Sequence, residues 1–195
     1  MRTVTFVVLG LVGSTAFAQE GIYVGVGIGS MDYTESVENA LLSKIEDTVS
    51  ATKIYGGFEI NQHFAVEINY GETGDVMDSA SIFVPGLGTV TRSTKTELTT
   101  TVLRGIGQLG YEWGVLMGGI GFYSADIDFV DTLSAQGSSG TIAGDFSDDG
   151  ISAMIGIEWR FGRFGTGFGI RLEYEMLDID NIDASTIGLG IAYRF

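Results

Sequence analysis

Alternation with a period of two residues, repeated along almost the whole chain, most constrains what this sequence can fold into. The last eleven residues set the pattern. Ile187, Leu189, Ile191, Tyr193 and Phe195 point one way, and Thr186, Gly188, Gly190, Ala192 and Arg194 point the other. Large apolar groups on one face and small or charged groups on the other suit a strand with lipid outside and a tightly packed interior. A water-soluble sandwich could use the same pattern, so the weight falls on repetition. Seven further segments carry it: Gly21 to Met31, Ala51 to Asn61, Phe64 to Gly71, Thr99 to Gly110, Val115 to Asp128, Gly150 to Phe161 and Thr166 to Met176.

In most segments the two faces are distinct. Ile22, Val24, Val26 and Ile28 oppose Tyr23, Gly25, Gly27 and Gly29; Phe168, Ile170, Leu172, Tyr174 and Met176 oppose Gly167, Gly169, Arg171, Glu173 and Glu175. Two segments are ambiguous. In the fourth, Arg104 and Gln108 are placed inside, because a charge facing lipid costs roughly 2–4 kcal/mol at mid-depth. In the fifth, Met117/Gly119/Gly121/Tyr123 and Leu116/Gly118/Ile120/Phe122 both make tolerable lipid faces, and the sequence does not choose.

Connection lengths order the segments. Asn61–His63, Tyr111–Gly114 and Gly162–Gly165 are short, whereas Asp32–Ser50, Glu72–Leu98, Phe129–Asp149 and Leu177–Ala184 are longer. In an up-and-down meander alternate connections lie at opposite ends, so the long ones share one end. The expected fold is all-β: an eight-stranded antiparallel up-and-down transmembrane β-barrel. Aromatic residues gather at segment ends, as an interfacial girdle requires. Within the expected loops, Ile82, Phe83, Val84 and Leu87 form the most apolar stretch, with a turn at Pro85-Gly86, and Gly137–Gly144 reads as small, polar and mobile.

The N-terminus is of a different kind. Met1-Arg2-Thr3, an apolar run from Val4 and Ala16-Phe17-Ala18 describe a secretory signal peptide over residues 1–18, leaving 19–195 as one barrel domain. No later segment offers the roughly 18 unbroken apolar residues of a membrane helix. The chain has no cysteine, so its stability must come from packing and hydrogen bonding. Thirty glycines against one proline, many at alternate positions of apolar runs, fit the crowded interior of a small barrel.

The formal net charge is -15, and the long connections hold most of the acids against Lys44, Arg92 and Lys95. Nucleic acid is excluded as a partner by that sign. The inward faces carry Lys53, Glu59, Glu67, Arg104, Glu158, Arg160, Arg171, Glu173, Glu175 and Arg194, five bases and five acids. An eight-stranded barrel is just wide enough for side chains to fill it, so these charges are expected to pair into a plug across the lumen. Individual pairings do not follow from the sequence, and an ion path with a movable pair is the alternative.

Little supports catalysis or a cofactor. His63 is the sole histidine, in a short turn with Asn61 and Gln62, which gives no triad or zinc site. Asp178, Asp180 and Asp183 offer oxygen donors at alternating spacing, a weak divalent-cation site at most. No stretch matches an EF-hand loop.

The opening Gly21-Ile-Tyr-Val-Gly-Val-Gly-Ile-Gly29, the pair Tyr55-Gly-Gly-Phe58 and Phe64-Ala-Val-Glu-Ile-Asn-Tyr70, and the ending Gly188-Leu-Gly-Ile-Ala-Tyr-Arg-Phe195 resemble the small outer-membrane β-barrel family of Gram-negative bacteria. This family includes OmpA-like, OmpX/Ail-like and opacity-type (porin-family) proteins. The resemblance implies a cell outer-membrane location, long loops at the cell surface and both mature termini in the periplasm. It implies contact with outer-membrane lipid and lipopolysaccharide, bridged by divalent cations where like charges meet. It also implies that Phe195, supported by Tyr193, is read by the barrel-assembly machinery. The function so implied is a non-enzymatic, envelope-stabilising or adhesive monomer with no cofactor and a surface partner met through the acidic loops. A narrow, porin-like channel is the alternative, and a lipid-modifying enzyme the third reading.

Overall fold

The computed structural model describes residues 21–35, 45–86, 88–161, 167–179 and 182–195. The signal-peptide expectation, Leu87 and Asp180 lie outside the described residues. Among the described residues the strand segments are β1 Ile22–Glu35, β2 Ile45–Asn61, β3 Phe64–Thr73, β4 Val76–Val84, β5 Gly88–Tyr111, β6 Gly114–Ala135, β7 Ser138–Phe161, β8 Gly167–Ile179 and β9 Ile182–Arg194. All neighbouring pairs are antiparallel. The order is β3-β2-β1-β9-β8-β7-β6-β5-β4, and an additional β3–β5 pairing closes eight of the strands into a ring. β1 and β9 meet from Tyr23↔Arg194 to Glu35↔Ile182, so the terminal strand is a staple of the wall.

β4 continues β3 past Gly74-Asp75 against the same partner, the register shifting by one residue from Glu72↔Thr99 to Val76↔Thr96, so the eight-stranded expectation holds and β4 is an extension of its third strand. It forms a hairpin with the upper part of β5, through Pro85-Gly86 as expected. β5 and β7 run for 24 residues each and β6 for 22. Most of what reads as the loops Glu72–Leu98 and Phe129–Asp149 is therefore a four-stranded sheet, β4-β5-β6-β7, that continues the wall beyond the ring. Gly137–Gly144 belongs to it. The turn between β6 and β7 is two residues long, with Gln136 at φ 48° and Gly137 at φ 80°, the left-handed pair that lets a tight hairpin follow the strand twist. The side chain of Gln136 donates to the Gly86 carbonyl at 3.2 Å, tying the two hairpin tips together. Leu177–Ala184 is likewise mostly strand, with Ile179 opposite Ile182.

The face pattern explains why these extensions were hidden. The outward face of the ring is apolar up to one level and polar above it. The first polar outward residues are Ser30, Thr52, Glu72, Thr101, Ser124, Asp149, Asp178 and Ser185, one on each ring strand. On β6, Leu116, Ile120 and Phe122 point outward below this level, and Ser124, Asp126 and Asp128 continue the same face above it. The inward face inverts the other way. Charged residues fill it low down, and Leu98, Ala125, Ile127, Leu177 and Ile179 fill it higher up. Register does not change; solvent does. Below the level the outside is lipid, and above it the outside is water, so apolar groups turn inward as in any soluble sheet.

Both uncertain registers are settled by burial. Arg104 and Gln108 point inward, with Val102 and Ile106 beside them. In β6 Met117 and Tyr123 are buried inside, and Leu116, Ile120 and Phe122 face out. At the short-turn end, Tyr111 and Trp113 stack at 5.4 Å, and Tyr193 makes edge contacts with Phe168 at 5.0 Å and Phe195 at 5.1 Å.

Candidate functional site: a charged lumen beneath an apolar cap

Three levels of the interior can be built from the residues upward. At the short-turn mouth, Glu59 on β2 receives Arg160 Nη2 at 2.8 Å and Arg194 Nε at 3.3 Å. Gln108 joins this level by accepting from Arg160 at 2.9 Å. Glu158 on β7 holds three guanidinium groups: Arg194 at 2.5 Å, Arg160 at 2.9 Å and Arg171 at 3.4 Å. Deeper, Glu67 on β3 is fully buried and receives Arg171 Nη1 at 2.6 Å and the Tyr23 hydroxyl at 2.8 Å, with Arg104 Nε at 3.6 Å. Arg104 also reaches Glu175 at 2.8 Å. Lys53 meets Glu173 directly and Glu175 at 3.5 Å, and Arg171 lies 3.7 Å from Glu173. All ten charged residues named from the sequence thus stand in one connected set across the lumen.

Arg171 is central because its planar fork serves three carboxylates and its face lies over rings. Its guanidinium carbon is 4.5 Å from the Tyr55 centroid and 5.6 Å from that of Tyr23. The two tyrosines are the members sequence reasoning left off the site. Their signal was an exchange across the β1–β2 ladder: Tyr23 pairs with Gly57 and Tyr55 with Gly25. A Cβ on Gly57 would lie 2.7 Å from Cε1 of Tyr23, and one on Gly25 2.6 Å from the Tyr55 hydroxyl. Each ring occupies the space its partner glycine leaves.

Above the charges, a cavity of about 40 Å³ is bordered by Lys53, Asn69, Thr100, Glu173 and Glu175. That volume is a few water positions. Asn69 Nδ2 is buried there without a protein partner. Higher still, Met31, Tyr33, Val49, Val76, Leu98, Val102, Tyr123, Ile127, Leu177 and Ile179 form an apolar cap over the lumen. The Tyr123 hydroxyl ties it to the outer rim, 2.9 Å from the Asp148 carboxylate and 2.5 Å from the Asp178 carbonyl.

On the protruding sheet, Arg92 Nη2 and Thr94 Oγ1 both donate to Asp131 at 2.5 Å. Partial burial alone would raise the Asp131 carboxyl, but these hydrogen bonds and the Arg92 charge hold it below the ordinary carboxylate value. Beside this pair, Leu133, Ile142 and Phe146 lie on the lumen-side face of the sheet and remain exposed.

Asp178 and Asp183 face each other across β8–β9. Among the described residues, no group of three or more His, Cys, Asp or Glu side chains is placed to hold a metal ion. His63 sits at the turn opposite the protruding sheet. Asn61 Oδ1 accepts from the backbone N–H groups of His63 at 2.8 Å and Phe64 at 3.0 Å, which makes Asn61 the turn-former.

An antiparallel ring with an apolar outer belt, aromatic ends and a charged lumen defines a transmembrane β-barrel of the outer-membrane type. The chain belongs to the outer membrane protein beta-barrel domain family, which it matches over residues 4–195. It is therefore a protein of the Gram-negative outer membrane, in contact with that membrane's lipid. No curated protein matches it by sequence. Among solved structures, it resembles Ail, the attachment invasion locus protein of Yersinia pestis, at 16% identity and TM-score 0.53, over 90% of this chain and 99% of Ail. Neisserial surface protein A matches at 12% identity and TM-score 0.54, over 89% and 97%. OprG from Pseudomonas aeruginosa matches at 10% identity and TM-score 0.54, over 90% and 96%. At these identities the likeness is one of fold.

Proposed function

We propose that this protein is a non-enzymatic outer-membrane barrel, closed to ions, whose protruding β4–β7 sheet is its working surface in an envelope-stabilising or adhesive role. The observation that carries this reading is the double closure of the lumen. Five carboxylates and five bases interlock at the lower level, and an apolar cap sits above them. A hydrated ion meets first a charge set already neutralised internally and then a layer with nothing to solvate it.

In this reading residues 1–18 are removed as a signal peptide, both mature termini are periplasmic, and the protruding sheet is extracellular. Tyr193 and Phe195 present the assembly signal, and the barrel is a monomer within its own membrane. Ail was solved with the heparin analogue sucrose octasulfate. The sheet here carries Asp75, Asp78, Glu97, Asp126, Asp128, Asp131, Asp145, Asp148 and Asp149 against Arg92 and Lys95. That charge disfavours a polyanion and favours neutral or basic partners, or contact with lipopolysaccharide through bridging divalent cations.

The test is conductance in planar bilayers with the purified protein, expected to show no discrete steps. Steps in the wild-type protein that disappear when Lys53 and Glu173 are replaced would overturn the closed reading and support a narrow channel. The luminal cavity is the one observation favouring that alternative. Expression that changed the mass of lipid A would refute the non-enzymatic assignment.

A further inference from the structure

Four glycines on the seam between β1 and β9 leave room inside the barrel. Gly27 pairs with Gly190 and Gly29 with Gly188, and all four border the luminal cavity of about 40 Å³. Glycine weakens a strand, so each needs a reason. None of the four has the positive φ that would require it. Side chains or backbone explain three of them. A Cβ on Gly27 would lie 3.3 Å from Lys53 Cγ, one on Gly190 2.8 Å from the Tyr55 hydroxyl, and one on Gly29 would collide with the Ile187 carbonyl. Gly188 has no such reason. A Cβ there would stand 3.5 Å from the Ile28 carbonyl and 3.9 Å from Glu173 Cγ, which are ordinary contacts.

Two buried polar atoms share that space. Asn69 on β3 and Glu173 on β8 both border the cavity and are only 3% and 4% exposed. In the ring order these strands lie opposite each other, with β2, β1 and β9 between them. Neither Asn69 Nδ2, a donor, nor Glu173 Oε2, an acceptor, has a hydrogen-bond partner in the protein. Arg171 Nη1 stands 3.7 Å from Glu173 Oε2, outside hydrogen-bond range. A buried donor or acceptor left without a partner is costly.

We propose that the cavity is a built water site, in which about three ordered waters join Asn69 on one wall to Glu173 on the other. Charge fixes the ligand as neutral. Lys53, Arg104 and Arg171 already balance Glu67, Glu173 and Glu175 in one set of ion pairs, so a resident ion would bring a buried charge without a partner. Size restricts it to water, and water can accept from the amide and donate to the carboxylate at once. Lys53 and Thr100 border the same space and offer further polar partners, and Met31 and Leu177 of the apolar cap also border it. The waters solvate the last carboxylate of the plug where hydrocarbon begins. The lumen is thus closed to ions and yet wet, with a hydrated strut running across it beneath the cap.

This inference deepens the closed-lumen reading, and its test is separate from conductance. A crystal structure of the folded chain grown in rubidium bromide should show about three water peaks between Asn69 and Glu173 and no anomalous signal in the cavity. A cavity without density, or an anomalous rubidium or bromide peak inside it, would overturn the proposal. Reversible unfolding in lipid vesicles then reads the sign of two substitutions. Filling a dry cavity, or removing an unpaired amide, stabilises; displacing bound water does the opposite. Gly188→Ala puts a methyl group into the space without collision, and Asn69→Leu removes the amide. They are expected to lower the folding equilibrium constant by about threefold and about tenfold. Gly105→Ala, whose Cβ would meet nothing within 4 Å, reports the effect of the methyl group on the unfolded chain and should not lower it. Asn69→Ser, which keeps a polar partner for water, should recover most of the Asn69→Leu loss; a larger loss in the serine variant would mean that packing, not water, is at stake and would refute the site. Tighter folding of both Gly188→Ala and Asn69→Leu than of wild type would also refute it. Discrete conductance with the water peaks intact would remove the closed reading and leave the water site standing.

Discussion

Glu67 is the carboxylate whose removal tests the paired lumen most directly. It is fully buried, and its oxygens are 2.6 Å from Arg171 and 3.6 Å from Arg104, with the Tyr23 hydroxyl at 2.8 Å. Breaking a buried pair from one side typically costs 3–5 kcal/mol, because a charge is left without its counter-charge. Here Arg171 keeps Glu158 and Glu173, and Arg104 keeps Glu175. The loss for Glu67→Gln should therefore fall at the lower end, about 3 kcal/mol, or more than a hundredfold in the folding equilibrium. Reversible urea unfolding in lipid vesicles, followed by tryptophan fluorescence and by the heat-modifiable gel mobility of the folded barrel, measures it. Arg171→Met alone should cost a similar amount, since it leaves Glu67 short of its nearest base. The double variant Glu67→Gln/Arg171→Met should recover at least half of the summed loss, a coupling that only a direct interaction produces. Glu67→Gln within about 0.5 kcal/mol of wild type, or additive single losses, would refute the argument that charge pairing holds the lumen together.

Three further outcomes follow from particular residues. Ile120→Arg, on the lipid face, should cost about 2–4 kcal/mol, and Thr141→Arg, on the same side of the sheet but above the polar switch, less than about 0.5 kcal/mol; equal costs in vesicle unfolding would refute the assigned membrane boundary. Gly57→Ala should destabilise by about 1–3 kcal/mol through collision with the Tyr23 ring, whereas Gly105→Ala, whose Cβ would meet nothing within 4 Å, should not; the reverse ranking would remove the ring-space explanation. Asp131 is held below its ordinary value, so its contribution of about 1 kcal/mol to the protruding sheet is complete above the unfolded carboxyl pKa of about 3.9 and is lost as pH falls through the folded value. Hydrogen exchange of the β5–β6 extension should be steady from pH 7 to 5, after correction for intrinsic exchange, and gain openings below about 4; identical protection in Asp131→Asn at pH 7 would refute it.

The face of every ring strand except β6 was legible in the sequence, because alternation is a local property and each residue reports its own solvent. Ile22/Val24/Val26/Ile28 against Tyr23/Gly25/Gly27/Gly29 needs no partner to be interpreted. Arg104 and Gln108 could be placed because a single charge in lipid is expensive. The same local logic failed in Glu72–Leu98 and Phe129–Asp149. There the alternation continues in register but with its polarity exchanged, and the short apolar runs are diluted by serine, threonine and glycine. Without knowing where lipid gives way to water, Thr132 and Leu133 on one strand have no assigned sides.

The sequence by itself determined a transmembrane barrel with short turns at one end, long connections at the other and balanced charges inside. Which carboxylate meets which base was decided only by the closed ring. Glu67 and Arg171 are 104 residues apart, and Glu59 and Arg194 are 135 apart. They meet because closure through β3–β5 and the stagger of the strands fix which inward positions share a level. Tertiary structure also showed that β4 carries the β3 strand onward past Gly74-Asp75. The β3–β5 pairing closes the barrel, so β4, following β3, pairs with the part of β5 that lies beyond it.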